Sequence, residues 1–356
     1  MSEITDFLPG RLGRNDATLE KDERADPRII KALEAVGGLA TGVDAIDPEA
    51  SYEECLAYCS AFEEAAAEGN TLLSESLPVL ESVESATEII DGTDGNKLQL
   101  FIHRPKRRSG SVPCIVHTHG GGMVLMGATD PMFVRWRDSL ADLGMVVVGV
   151  EFRNGGGRLG NHPFPAGLND CASAVQWVHS NRDALGVSAI VISGESGGGN
   201  LSLATTLKAN REGWVDQIDG VYACCPYICG QYADPPKPLL SLYENDGYML
   251  SCREMAALVK VYDPTNEHST NPLAWPYHAQ RADLEGLPPH VISVNELDPL
   301  RDEGLAYYRK LLAAGVPAFC RTVHGTPHAG DLSYPDITPE IYRDTLASMH
   351  GFISAL

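Results

Sequence analysis

A doubly wound α/β fold, with a mostly parallel central sheet and helices on both faces, is what this sequence predicts. Three observations carry that reading. Short continuous apolar runs recur from residue 86 onward, stretches with helical spacing alternate with them, and a serine framed by glycines joins one such run to the helix after it. Continuous apolar runs belong to strands buried on both faces, as in parallel sheets. Their alternation with helices is the sequence form of the α/β class.

In chain order, residues 1–85 are polar and helix-leaning, and read as an N-terminal helical segment. DPRIIKALEAV opens with Asp26 as an N-cap and Pro27 at the first helical position. SYEECLAYCSAFEEAAAEG, 51–69, has apolar residues at helical spacing and is expected to stop at Gly69. Residues 86–356 form the α/β unit. ATEIIDGTDGNKLQLFIHRP reads as two strands joined by a turn at Asp94-Gly95-Asn96. Six more strands follow: VPCIVHTH, MVVVGVEF, AIVISGE, GVYACCPYI, HVISVNEL and AFCRTVH. CASAVQWVHSNRDALG, NLSLATTLKANREG and DEGLAYYRKLLAAGV supply helices between them. Residues 227–280 are too long for a simple crossover and carry six of the thirteen tyrosines. They are expected to form a cap or lid insertion over the face where strand C-termini gather.

Charge and cysteine usage narrow the function classes. With 27 basic against 48 acidic residues the net charge is −21, which argues against nucleic acid and anionic membrane surfaces as partners. No run reaches the length of a membrane span, and the charged N-terminus lacks an apolar signal core, so a cytoplasmic protein is expected. The nine cysteines include no Cys-x-x-Cys pair, and Cys224-Cys225-x-x-x-Cys229 has no second ligand cluster. They read as reduced thiols, with no metal expected.

The chemistry centres on IVISGESGGGN, 190–200. Gly-x-Ser-x-Gly is a weak pattern alone, but between a strand and a helix it describes a nucleophile elbow, whose small neighbours permit the strained turn at Ser196. A serine needs a base and an orienting acid, and in elbow enzymes the acid and then the histidine follow it along the chain. Asp298 lies just past the strand HVISVNEL, on the face where such sheets do chemistry. Asp302 suits a first-turn helix charge, and Glu296 belongs to the strand. For the base, His328 sits in the loop TVHGTPHAGD, His324 nearer the strand end, and His350 in the C-terminal helix. HTHGGGMVL, 117–125, places glycines directly after a strand, where backbone N–H groups can turn toward an anion. Gly197 and that loop are the expected oxyanion donors. His117 and His119 have the spacing of a metal pair but lack further ligands; His119 reads as a support for the glycine loop.

His119-Gly120-Gly121-Gly122, HPFPAGLNDC at 162–171, Gly194-Glu195-Ser196-Gly197-Gly198 and DPLRDEG from Asp298 to Gly304 together resemble the hormone-sensitive-lipase-like branch of the α/β-hydrolases. The likeness runs nearly end to end. It implies the α/β-hydrolase fold with a cap built from the N-terminal helices and the 227–280 insertion. It implies Ser196, Asp298 and His328 as a catalytic triad, and the N–H groups of Gly121, Gly122 and Gly197 as the oxyanion hole. A small-molecule carboxylic ester is then the expected substrate, bulky or lactone esters included, with no metal or organic cofactor. Amidase or acyltransferase chemistry would use the same residues. A non-catalytic small-molecule receptor is the reading that the full residue set argues against. Two departures stand out: Glu195 and Gly197 replace the family's more common Asp and Ala around the serine, and FRNGGGRLGN, 152–161, stands where many members carry Tyr-Arg-Leu-Ala-Pro-Glu. The six tyrosines of the insertion, Tyr227, Tyr232, Tyr243, Tyr248, Tyr262 and Tyr277, are expected to give the cap an apolar lining.

Overall fold

Residues with apolar side chains on both faces of a strand need cover on both sides, and the chain supplies it with one sheet between two helical layers. In the computed structural model, which describes residues 8–36, 45–74 and 77–356, eight strands run in the order β1-β2-β4-β3-β5-β6-β7-β8. They are Val83–Asp91 (β1), Lys97–Pro105 (β2), Val112–Thr118 (β3), Val146–Glu151 (β4), Val187–Glu195 (β5), Gly220–Cys224 (β6), His290–Asn295 (β7) and Ala318–Val323 (β8). The β1–β2 and β2–β4 pairings are antiparallel and the other five are parallel. All eight expected strands are present, and the mostly parallel sheet is the one anticipated.

Alternate residues of the central strands face opposite layers. Val116, Val148, Ile192 and Ile292 pack under the helices Ala166–Ser180, Gly197–Glu212 and Arg301–Ala313. Ile115, Val147, Val191 and Val291 pack under Pro131–Asp142 and Pro339–Ile353. The outer strand β1 buries only Ile90 of its nine residues. No described helix is long and apolar enough to cross a membrane.

The chain leaves β3 toward β4 on one side and later enters β5 on the other, so the loops following β3 and β5 part to opposite faces. A crevice opens at such a switch point, outside the strand C-termini. Thr118, the last residue of β3, is level with Gly194 of β5. The two backbones nearly touch there. A Cβ on Gly198 would lie 1.8 Å from the Thr118 carbonyl oxygen, and one on Gly194 would lie 2.2 Å from it. Neither glycine has a left-handed φ, so they serve close approach, whereas the sharp turn itself falls on Ser196.

Several element boundaries differ from the expected ones: β1 starts at Val83, inside the segment read as helical, and β7 ends at Asn295, which leaves Glu296 in the loop beyond the strand. The helix Tyr52–Ser74 runs through Gly69, because a glycine without a left-handed φ weakens a helix but does not stop it. The helix after the serine starts at Gly197, not at Asn200. Strand β6 ends at Cys224, because Cys225 turns the chain at φ 35 and Pro226 has no N–H for the ladder.

The N-terminal segment packs into the same core. Asp26 caps the helix Pro27–Ala35 by accepting from the Arg28 N–H at 2.9 Å. Cys55 and Cys59 of the helix Tyr52–Ser74 join the main apolar cluster. Glu63 of that helix is buried and accepts from the N–H groups of Met126 at 2.6 Å and Arg158 at 2.7 Å. Gly157 beside it has φ 65, and a Cβ there would sit 2.7 Å from Glu63 Oε2. The FRNGGGRLGN segment is thus the seat of the N-terminal helix.

Gly198→Ala should destabilise the protein by about 3 kcal/mol or more, since a methyl group would collide with backbone. Gly213→Ala, at φ 78 with open space around it, should cost only about 1–2 kcal/mol of backbone strain. Urea midpoints of the two variants measure the difference; equal shifts would mean that the β3–β5 contact yields easily.

Candidate active site

Ser196 stands between β5 and the helix Gly197–Glu212 with φ 57 and ψ −118. A non-glycine residue persists in that region only when its surroundings over-determine it. Here its N–H donates to Cys224 O at 3.0 Å, and its carbonyl accepts from Asn200 N at 3.0 Å and Tyr227 N at 3.1 Å. Its side chain makes no capping hydrogen bond to the helix that follows.

Asp298 lies in the loop after β7 and is wholly buried. Its Oδ1 accepts from Leu300 N at 2.9 Å, and its Oδ2 lies 2.8 Å from His328 Nδ1. Asn245 Nδ2 holds the acid loop by donating to the carbonyls of Glu296 and Asp298, both at 3.2 Å. The histidine loop is fixed by Asn295 Nδ2, which donates to Thr326 Oγ1 at 2.8 Å and Asp331 Oδ1 at 2.9 Å. An imidazole that gives its Nδ1 proton to a carboxylate keeps Nε2 available as a base. Ser196, His328 and Gly120 to Gly122 line one cavity of about 610 Å³.

The glycine loop faces the elbow. The N–H groups of Gly121, Gly122 and Gly197 have no acceptor among the described residues, and a Cβ on Gly197 would lie 2.6 Å from Gly122 N. His119 supports the loop from below. Its Nδ1 sits 2.8 Å from Gly120 O, and its ring stacks on Phe152 at 4.1 Å. His117 points elsewhere, with Nε2 3.0 Å from Glu195 Oε2.

The rivals are placed apart. Asp302 accepts from Ser241 N at 2.9 Å and pairs with Arg301. Glu296 accepts from Gly325 N at 2.9 Å and pairs with His324, whose side chain is 77% exposed. His350 is exposed. Among the described residues, Cys225, Asp298 and His328 bring possible metal-ligand atoms within 4.8 Å of one another. An ion there would have to break the Asp298–His328 hydrogen bond. His117 and His119 do not join such a group.

The roles of two residues beside the site escape the sequence reading. Glu195 accepts from Gly120 N at 2.8 Å as well as from His117, so the residue before the serine fixes the glycine loop. Its counter-charge is Arg137, fully buried, whose Nη1 approaches His117 Nδ1 at 3.5 Å and whose Nε donates to His103 Nε2 at 3.0 Å. Burial lowers the Arg137 pKa to about 10, which leaves it charged at neutral pH. Glu195 could be found from its place beside the serine; Arg137 had no local signal. The tyrosines also correct the expected cap lining. Of the six, only Tyr227 lines the cavity. Tyr232 stacks on Tyr227 at 4.8 Å with its hydroxyl on Glu303, and Tyr248 reaches Asp22. Leucine and methionine supply most of the apolar wall: Leu125, Met126, Met132, Met255 and Leu258 among them.

The profile of the alpha/beta hydrolase fold family matches residues 115–331. The chain belongs to that family. It is similar to brefeldin A esterase, described as a bacterial homologue of human hormone-sensitive lipase, at 42% identity and a TM-score of 0.90, over 97% of this chain and 98% of that one. It is 33% identical to carboxylesterase NlhH of Mycobacterium tuberculosis, over 68% of this chain and 73% of the relative. It is also 29% identical to an arylesterase of Saccharolobus solfataricus, over 75% and 84%. The resemblance to the hormone-sensitive-lipase-like branch holds.

Burial pushes His119 down to about 3 and His290, at the start of β7, down to about 4. In the unfolded chain both take a proton near pH 6.5. Below that pH the unfolded state binds more protons, so the stability present above about 6.5 falls as pH drops toward 4. The urea midpoint should be lower at pH 5 than at pH 7.5. His290→Asn should flatten part of that slope, and an unchanged slope would mean that His290 is protonated in the fold.

Proposed function

We propose that this chain is a serine carboxylesterase, with Ser196 as nucleophile, His328 as general base and acid, and Asp298 as the group that orients the imidazole. The observation that carries this is the 2.8 Å hydrogen bond from buried Asp298 to His328, which lines the same cavity as Ser196. His328 Nε2 takes the Ser196 proton as Oγ attacks the ester carbonyl. The N–H groups of Gly121, Gly122 and Gly197 receive the oxyanion; removing one such donor typically costs about 3 kcal/mol of transition-state stabilisation. The tetrahedral intermediate collapses, His328 protonates the departing alcohol, and water repeats the sequence to release the acid. The esterase and carboxylesterase names of the relatives support the ester over other acyl substrates.

The N-terminal helices Pro27–Ala35 and Tyr52–Ser74 and the insertion 227–280 act as a cap over the catalytic unit, whose sheet begins at Val83 and not at residue 86. The helix Cys252–Tyr262 of the insertion and the helix Tyr52–Ser74 both contribute cavity wall above Ser196. A cavity of about 610 Å³ walled by leucine and methionine suits small to medium apolar esters, with bulky or cyclic ones within its volume.

Ser196→Ala should lower kcat for a p-nitrophenyl ester by about 10⁴-fold or more, with KM little changed. The wild type should cleave that ester faster than the matched anilide. Substantial turnover by the alanine variant would remove Ser196 from the chemistry, and faster anilide cleavage would make the protein an amidase.

A further inference from the structure

The cavity wall is apolar except at a few points, and one of them has no part in the chemistry just described. Among the described lining residues there is no lysine or arginine, and only two carboxylates, Glu195 and Glu254. Both oxygens of Glu195 are committed, to Gly120 N and to His117. Glu254 comes from the cap helix Cys252–Tyr262, on the side of the cavity roofed by Tyr58 and Phe62.

The bonds Glu254 makes leave it capable of more. Oε2 accepts from Ser251 N at 3.1 Å and Ser251 Oγ at 2.8 Å, and Oε1 accepts from Tyr58 Oη at 2.9 Å. An ionised carboxylate offers about four lone-pair sites, so these three donors leave one on Oε1. All three donors are neutral. Lys260, on the same helix, does not line the cavity and binds the Ala50 carbonyl instead. A negative charge therefore faces a largely apolar wall with no lysine or arginine among its described lining residues.

We propose that Glu254 sets the charge preference of the substrate cavity. Esters carrying a hydroxyl or a cationic group at the end that reaches the cap are favoured, and esters carrying a carboxylate there are rejected. A hydroxyl fills the open acceptor site on Oε1. A cation gains, and an anion loses, Coulomb energy that the apolar wall does little to screen. The inference rests on the esterase reading of the same cavity. Helix capping alone would give Glu254 its contacts to Ser251, but would put no charge preference on substrates.

Two matched ester sets decide it, one varied at the end of the acyl chain and one at the end of the alcohol, each ending in methyl, hydroxyl, trimethylammonium or carboxylate. Values of kcat/KM are taken relative to the methyl-terminated ester with the same protein, so that a general loss of activity cancels. In at least one set the wild type should prefer the cation to the carboxylate by about tenfold or more. Glu254→Gln, which keeps the size and can still complete the capping box, should bring that ratio within about threefold of unity, mainly through KM. A flat ranking in both wild-type sets, or a ratio that survives in Glu254→Gln, overturns the proposal. Failure of the wild type to cleave the methyl-terminated esters would instead overturn the esterase reading.

Discussion

The contact between the ends of β3 and β5 is the constraint on which the rest of the structure depends. Two strands lie side by side with Thr118 level with Gly194, and the first turn of the following helix packs against the same carbonyl that ends β3. Thr118 Oγ1 donates to Gly198 O at 2.7 Å and lies 3.0 Å from Ser202 Oγ, closing the seam with hydrogen bonds. Side chains on Gly194 or Gly198 would push the strand ends apart. With the seam closed, the glycine loop after β3 and the serine after β5 emerge together, which is the geometry an acyl-transfer site requires.

A buried charge stabilises this arrangement only if its partners are complete. Glu195 meets that demand with Gly120 N on one oxygen and His117 on the other. Arg137 then links His117 to His103, and His103 Nδ1 lies 2.7 Å from Asp138 near the surface. Because Arg137 Nε donates to His103 Nε2, the His103 proton sits on Nδ1, toward Asp138. Glu63 plays a corresponding part on the other side, tying the N-terminal helix to Met126 and Arg158. The cavity is thereby assembled from three distant parts of the chain around one rigid centre.

Much of this was legible in the sequence, and the division is physical. Strands β3 to β7 announce themselves because each is apolar on both faces, and the β1–β2 hairpin because its turn residues are local. Ser196, Asp298 and His328 could be picked out because each sits in a loop directly after an apolar run. What the sequence hid depends on distant partners. Arg137 carries no local signal, since its partners come only when His103 of β2 and His117 of β3 close over it. Glu254 carries no signal of a place in the cavity wall, which it takes beside Tyr58 of the N-terminal helix. The tyrosines of the insertion were visible as a group, but composition does not say which way each ring turns, and all but Tyr227 lie away from the cavity.

The role of the serine at this seam is open to a direct measurement: covalent labelling by an organophosphonate, with the modified peptide located by mass spectrometry. One adduct per chain on Ser196, absent from Ser196→Ala, is the predicted result. An adduct on another residue, or ester hydrolysis that continues with Ser196 unmodified, would contradict it.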